Sequence, residues 1–319
     1  MSISAYVKPG YANPDRARLA FYVLATVTGI GATLFLLSAL VAGASAIAYA
    51  LAAITYAGLT ALLIWGARRT NAHSVTGAWN WSDMLLALAA VGAAFFFFSF
   101  VASIVNVFTH APIANSIETV LLYIAIAGCL ALVVLVRRGA RLQDLGWRWP
   151  RWYWYLAVPV AVGIGLLLTA WVLQVETHLP VLHNAPQTQC TDIKSAFGTN
   201  MIGFLLALPV VSLAAPIVEE SLFRGFIYGW LQRLVPAREG VSQPWRHYLP
   251  LAGAMLLSGL IFGLFHLTYG PLYVLPLGAL GVMLAAMYEW SGSLIPGVLT
   301  HSTFNTLGAI GLLLAKSSC

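Results

Sequence analysis

Residues 215–225 read APIVEESLFRG and place the carboxylates of Glu219 and Glu220 and the guanidinium of Arg224 inside a long apolar run. An unpaired charge in hydrocarbon costs on the order of 3 kcal/mol, so charged groups at membrane depth are usually paired, turned inward and functional. Glu220 and Arg224 are four residues apart, so on a helix they share a face and can neutralise each other. Glu219 is rotated by about 100° from Glu220, which leaves it free to face a cavity.

Pro216 lies three residues before the first of these acids. It lacks the N–H that an α-helix uses, so a bend is expected there. Locally unsatisfied backbone at membrane depth is tolerated only against protein or water. The stretch therefore predicts a hydrated pocket beside the two glutamates.

The composition excludes a soluble globular protein. Hydrophobic residues make up 60% and charged residues 8% of the 319 residues, with a mean hydropathy of +0.85, whereas about a quarter of a soluble domain is charged. A membrane span needs about 20 apolar residues. The predicted fold class is all-α, a polytopic transmembrane helix bundle of about nine membrane spans. The apolar stretches are 20–42, 45–66, 83–109, 116–136, 153–175, 200–232, 251–268, 272–290 and 294–315.

The distribution of basic residues predicts the orientation. The net charge is +6, and most basic residues fall into four clusters. These are Lys8, Arg16 and Arg18; Arg68 and Arg69; Arg137, Arg138, Arg141, Arg148 and Arg151; and Arg233, Arg238 and Arg246. With a cytoplasmic N-terminus, all four clusters lie on the cytoplasmic side, as the positive-inside rule requires. We expect an integral protein of a prokaryotic plasma membrane with the lipid bilayer, and no nucleic acid, as its basic residues' partner.

Aromatic residues follow the third basic cluster. Trp147, Trp149, Trp152, Trp154 and Tyr155 are expected at the inner membrane interface, where amphipathic rings concentrate.

The three cysteines have no metal-site spacing. Cys129 lies within a span and is expected to be a small apolar filler. Cys190 and Cys319 are both predicted outside, which leaves a disulfide between them open.

The chain changes character near residue 200. Residues 1–199 are predicted to form an N-terminal packing region of about five spans with an outer loop at about 176–199. From residue 200 onward, polar side chains occur within the spans themselves. Residues 200–319 are therefore predicted to form the working part.

Three polar motifs occur in this C-terminal part. Glu219-Glu220-x-x-x-Arg224 is followed by Phe262-x-x-x-His266 and by His301-x-x-x-Asn305. His301 and Asn305 are four residues apart, so both are expected on one face of the last span. Each member has a structural interpretation on its own: a hydrogen-bonded buried histidine, an ion pair, or an interhelical amide contact. Because all of them fall in three of the last four spans, we predict one shared functional site.

The three motifs in this order resemble the CAAX prenyl protease type II family, also described as the CAAX protease and bacteriocin-processing (Abi) family of intramembrane glutamate proteases. The resemblance covers about 200–310. It implies an intramembrane endopeptidase that acts on a membrane-associated peptide, either prenylated or leader-bearing. It makes residues 200–319 the catalytic helix bundle.

The resemblance also implies residue roles. Glu219 would be the general base and His266 would orient the same water. His301 and Asn305 would face the developing oxyanion. The supporting residues would be Glu220, Arg224 and Phe262.

Two alternatives stay open. The first is a zinc protease, in which Zn²⁺ is held by Glu219, His266 and His301 and keeps an open position for water. Without an H-E-x-x-H helix the spacing does not demand a metal, so we expect that no cofactor is required and that zinc is possible. Polar groups at the midplane also suit a transporter or proton relay, which the absence of inverted-repeat symmetry between the halves disfavours.

Overall fold

The structure is a computed structural model that describes residues 14–41, 46–68, 112–178, 204–205, 208–236, 243–267 and 271–314, with scattered positions from 79 to 101. Every regular element in these ranges is helical. The predicted all-α fold class is therefore confirmed for the described residues. Cys190 and Cys319 lie outside them, as does most of the predicted outer loop, so the disulfide stays a prediction.

The first four helices precede residue 200. They are α1 (Pro14–Val41), α2 (Ala46–Arg68), α3 (Pro112–Ala131, continued by a π-helical turn at Leu132–Arg137) and α4 (Ala157–His178). Short 3-10 turns at Leu142–Leu145 and Trp152–Leu156 lie between α3 and α4.

Four further helices follow. We call α5 the continuous helix built from π-helical Val210–Ala214, α-helical Ala215–Glu220, π-helical Ser221–Tyr228 and α-helical Gly229–Arg233. The others are α6 (Trp245–Phe265), α7 (Val274–Ser291) and α8 (Ile295–Leu314).

The described part of the chain contains fewer candidate membrane spans than the nine that the sequence predicts for the whole chain. Three helical segments there are long and apolar enough to cross a membrane: Trp152–Val172, Trp245–Phe265 and Val274–Ser291. Shorter apolar segments occur at Phe21–Thr33, Ala53–Trp65 and Thr119–Leu135. The protein is an integral membrane protein, and the count of nine spans is not confirmed. The stretch 83–109 is described only at scattered positions, and α5 interrupts its apolar run with three charged groups.

The described residues fall into two compact units. One contains α1, α2, the scattered positions and Glu118–Leu142. In it, Thr60 Oγ1 donates to Thr28 Oγ1 over 2.8 Å and joins α2 to α1. Arg138 Nε donates to Asp83 Oδ2 over 2.6 Å, and both side chains are buried. Arg138 belongs to the predicted cytoplasmic clusters, so one member of those clusters is a buried ion-pair partner.

The other unit contains residues 112–117 and everything described from Gln143 onward. Its centre is the contact between α6 and α7, where backbone meets backbone. A Cβ placed on Gly259 would lie 2.6 Å from the Gly278 carbonyl oxygen, and one on Gly281 would lie 2.8 Å from the Gly259 Cα. The small residues permit a close helix crossing, which brings both helices within reach of α5.

A tight turn connects α7 to α8. Gly292 has φ of 67° and its N–H donates to the Tyr288 carbonyl, so a glycine ends the helix in the left-handed conformation as expected for such a cap. Pro296 then lies in the first turn of α8, where the missing N–H of proline costs no hydrogen bond. The turn makes α7 and α8 neighbours against α5.

Candidate active site

The helix α5 carries the two acids in its α-helical segment, between two π-helical segments. The Ala215 N–H donates to the carbonyl of Val210, five residues back. In that register the next carbonyl, that of Val211, would be served by residue 216, which is a proline without an N–H. The disturbance predicted at Pro216 therefore takes the form of a change in helical register.

Asn305 of α8 supplies the missing donor. Its Nδ2 donates to the Val211 carbonyl oxygen over 2.9 Å, and beside it Thr306 Oγ1 donates to Ser212 Oγ over 2.8 Å. A buried carbonyl without a partner is costly. Asn305 thus joins α8 to the π-helical turn of α5.

Glu220 and Arg224 form the ion pair that their spacing predicted. Arg224 Nη1 donates to Glu220 Oε1 over 2.8 Å, and both side chains are fully buried. Arg224 Nη2 donates to the Gly281 carbonyl of α7 over 3.2 Å. The guanidinium carbon also lies 4.3 Å from the centroid of the Phe262 ring, a cation–π distance. The pair therefore ties α5 to both α6 and α7.

His301 of α8 reaches the same carboxylate. Its Nδ1 lies 3.0 Å from Glu220 Oε1, and the residue is 3% exposed. A Cβ on Gly297, one turn earlier in α8, would lie 3.2 Å from Glu220 Oε2. The missing side chain at Gly297 lets the carboxylate lie against α8.

Glu219 faces the two histidines. Its Oε2 lies 3.8 Å from His266 Nε2 and 3.8 Å from His301 Nε2. The Glu219 and His266 side chains are 16% and 17% exposed, whereas that of His301 is 4% exposed. The two neighbouring glutamates therefore have different environments. Glu220 is sealed in an ion pair, and Glu219 borders solvent-accessible space.

The hydrogen-bond partners of the two Nδ1 atoms define which nitrogen of each imidazole carries the proton. His266 Nδ1 lies 2.8 Å from the Phe262 carbonyl oxygen, which only accepts, so Nδ1 carries a proton. His301 Nδ1 faces the carboxylate of Glu220 and carries a proton for the same reason. In the neutral rings both Nε2 lone pairs then point towards Glu219. Only a doubly protonated ring donates from Nε2.

Phe262 packs among these groups. Its buried ring lies 4.6 Å from the His266 ring and 5.6 Å from the His301 ring, centroid to centroid. His266 itself terminates α6, and its N–H donates to the carbonyls of Gly263 and Leu264. The Phe262 ring therefore spaces the two imidazoles and covers Arg224.

The structure thus brings together six of the seven residues named from the sequence. Those six are Glu219, Glu220, Arg224, Phe262, His266 and His301. Asn305 shares the α5-facing side of α8 with His301, as its spacing predicted, but its hydrogen-bond partner is Val211.

Sequence reasoning missed the glycines that admit the buried groups. Gly281 offers its carbonyl to Arg224 and Gly297 makes room for Glu220. Gly297 lies four residues before His301, so its helical spacing from that motif residue could have indicated it. Gly281 lies on the preceding helix, and no spacing in the sequence relates it to the motifs.

Glu219, His266 and His301 are the three side chains that the sequence offers as alternative zinc ligands. Two imidazoles and one carboxylate are a ligand set that catalytic zinc uses. Among the residues that the structure describes, no group of three or more His, Cys, Asp or Glu side chains has a geometry that would hold a metal ion.

The C-terminal part of the chain matches a protein-family model. Residues 201–307, about a third of the chain, match the family described as "Type II CAAX prenyl endopeptidase Rce1-like". All seven candidate residues lie in the matched range. No curated protein and no solved structure matches the chain significantly.

Proposed function

We propose, on the premise that residues 201–307 belong to the Rce1-like family of type II CAAX prenyl endopeptidases, that this membrane protease hydrolyses peptide bonds with water activated by Glu219. The observation that carries the proposal is the position of Glu219 Oε2, 3.8 Å from each of two histidine Nε2 atoms. A carboxylate at the border of a buried site, with hydrogen-bonding groups on two sides, is suited to hold and deprotonate a water molecule.

The first step is attack on the scissile carbonyl. A water bound by Glu219 and His266 transfers a proton to the Glu219 carboxylate as its oxygen bonds to the carbonyl carbon. The lone pair of His266 Nε2 accepts the second hydrogen of this water and orients it. A positioned general base contributes roughly 10²–10⁴ in rate. The proton on Glu219 then passes to the leaving amine as the C–N bond breaks.

We assign His301 to stabilisation of the oxyanion. The oxyanion contact uses the form of His301 that carries a proton on both ring nitrogens, because Nδ1 faces Glu220 and the Nε2–H is then the donor to the oxyanion. A preorganised donor of this kind is worth about 10²–10³ in kcat. The Asn305 amide has a second N–H besides the one given to Val211, and we assign it the adjacent oxyanion contact.

Glu220 and Arg224 support this arrangement. Their pair is fully buried and bonded on both sides, by His301 and by Gly281. It therefore orients His301 and holds α5 in register. The Phe262 ring packs against the imidazoles of His266 and His301 and fixes their spacing.

The substrate that fits this chemistry is a peptide attached to or inserted in the membrane, prenylated or leader-bearing. The positive-inside pattern supports a cytoplasmic N-terminus, and we propose a prokaryotic plasma membrane as the location.

The test is cleavage of a library of lipidated and leader-bearing peptides by the protein reconstituted in vesicles. We expect Glu219→Gln to lose about 10²–10⁴ in rate and Glu289→Gln to stay within a few-fold of wild type. Glu289 is a matched control because it lies on α7 and accepts hydrogen bonds from Tyr228 and Gln232, outside the site.

A chelator separates the mechanisms. Retained cleavage with chelator supports direct activation by Glu219, whereas loss with chelator and recovery with added Zn²⁺ would favour the zinc alternative. An absence of cleavage together with coupled ion or solute flux would replace the protease by a transporter.

A further inference from the structure

The segment Gln143–Arg151 precedes α4 and lies against α5. Trp147 Nε1 donates to Ser221 Oγ over 3.0 Å. A Cβ on Gly225 would lie 2.8 Å from the Leu145 carbonyl oxygen, so the backbone of the segment contacts the backbone of α5 there. Ser221 and Gly225 directly follow Glu220 and Arg224 in the sequence.

The segment is also bound to the end of α7 and the start of α8. Tyr288 Oη donates to the Leu145 carbonyl over 3.2 Å, and the Leu294 N–H donates to the Gly146 carbonyl over 2.9 Å. Ser293 Oγ donates to the Arg148 carbonyl. Gly146 has φ of 99°, a left-handed conformation that glycine adopts without a steric penalty. These bonds fix the position of the segment relative to the helices that carry Gly281 and His301.

The two contacts with α5 act on one face of the helix. Ser221 and Gly225 are four residues apart, as are Glu220 and Arg224, and the two pairs lie on adjacent faces of α5. The first face meets the segment, and the second meets α7 and α8. The helix is therefore held from two directions, which limits its rotation about its own axis.

We propose that Gln143–Arg151 is a positioning element of the active site and that Trp147 is a positioning residue acting through Ser221. The proposal rests on the proposed function, and it extends the working unit to residues outside the matched range 201–307. Trp147, expected from the sequence in an interfacial aromatic belt, has its indole N–H bound to α5, the helix that carries Glu219 and Glu220.

The physical link runs through the hydroxyl of Ser221. Ser221 Oγ donates to the Ile217 carbonyl over 2.7 Å and accepts from Trp147, so the serine connects the segment to the turn that contains Glu219. A displacement of about 1 Å in a reacting group costs up to 10² in rate. Loss of the indole N–H is expected to displace Glu219 without unfolding the unit.

The experiment compares Trp147→Phe with Trp149→Phe in the reconstituted full chain. Trp149 is a matched control in the same segment because it is 84% exposed. We expect Trp147→Phe to lower kcat about tenfold with KM within twofold of wild type and an unchanged melting temperature. Trp149→Phe should change neither constant.

A double-mutant cycle tests the route through Ser221. Ser221→Ala should reproduce the loss in kcat, Ser221→Thr should restore most of it because the hydroxyl is kept, and Trp147→Phe with Ser221→Ala should be no worse than either single variant. Additive losses, or equal losses in Trp147→Phe and Trp149→Phe, would overturn the positioning role.

Amide hydrogen exchange separates this proposal from the proposed function. Exchange across 217–225 should accelerate in Trp147→Phe and not in Trp149→Phe. If wild type cleaves no peptide but this acceleration is seen, the positioning element stands and the protease mechanism fails. If exchange is unchanged in Trp147→Phe, the positioning element is refuted whatever the activity.

Discussion

Glu220 and His301 meet across 81 residues of sequence, with His301 Nδ1 3.0 Å from Glu220 Oε1. The same carboxylate oxygen accepts from Arg224 Nη1 over 2.8 Å. One oxygen of Glu220 therefore serves both the ion pair that holds α5 and the imidazole that faces Glu219. This sharing makes the structural and the chemical parts of the site one network.

The buried ion pair should dominate stability. Arg224→Met leaves Glu220 buried without its cation, and removal of one partner from a buried pair costs about 3–5 kcal/mol. Arg246→Met is the control because Arg246 is exposed, and it should cost less than about 0.5 kcal/mol. Unfolding of the detergent-solubilised protein by denaturant measures both. Equal stability of the two variants would show that the Glu220–Arg224 pair contributes little.

His301→Asn should separate orientation from chemistry. Asn Nδ2 occupies roughly the position of His Nδ1 and keeps the bond to Glu220, while the Nε2 position is lost. We expect stability within about 1 kcal/mol of wild type and a fall in kcat of about 10²–10³. Steady-state kinetics and a melting curve on the same preparation check this. A variant that unfolds like Arg224→Met would assign His301 a structural role instead.

The approach of α8 to Glu220 depends on a missing side chain. Gly297→Ala puts a Cβ 3.2 Å from Glu220 Oε2, so we expect about a tenfold loss in kcat, since a shift of about 1 Å in a reacting group costs up to 10². Gly308→Ala on the same helix has nothing within 4 Å of the new Cβ. It should keep wild-type activity and gain up to about 1 kcal/mol from helix propensity. Steady-state kinetics of the two variants side by side check this prediction. A wild-type kcat in Gly297→Ala would contradict the close approach of α8 to Glu220.

Asn305 and Pro216 should be coupled. Asn305→Ala leaves the Val211 carbonyl without its side-chain donor, at a cost of about 1–3 kcal/mol. Pro216→Ala supplies a backbone N–H in the i+5 register, so the cost of Asn305→Ala should fall in that background.

The control for this cycle is Pro250→Ala, which removes the proline inside α6 and should leave the cost of Asn305→Ala unchanged. Denaturant unfolding of the three single variants and of the two double variants, compared with wild type, measures the coupling. Strict additivity of Asn305→Ala and Pro216→Ala would mean that the amide does not replace the missing N–H.

The sequence predicted much of this site because its residue types are unusual where they stand. Charged groups at 219, 220 and 224 in an apolar run predicted a pair on one helix face, and the structure contains that pair. The spacing of His301 and Asn305 predicted a common face, and both contact α5. Their chemical roles remain proposals, as does the domain boundary at 199/200.

Other features had no signal in the sequence. Nothing in the type of Trp147 distinguishes it from the exposed Trp149, and only the fold turns its N–H towards Ser221. Asn305 binds the Val211 carbonyl because the helix is π-helical there. Pro216 favours such a register, but no residue in the sequence predicts it. The sequence did not determine the number of membrane spans. Hydropathy measures the composition of a stretch and does not show which stretches form one long helix.

By itself, the sequence determined that this chain is a helical membrane protein with ionisable groups concentrated in its last spans, because burial of charge in hydrocarbon is costly enough to restrict where such residues occur. The tertiary structure alone decided that Glu220 is sealed while Glu219 faces two imidazoles and that Gln143–Arg151 holds α5. Those outcomes depend on which helix faces meet, and contacts between distant segments are set by packing of the whole unit rather than by local residue type.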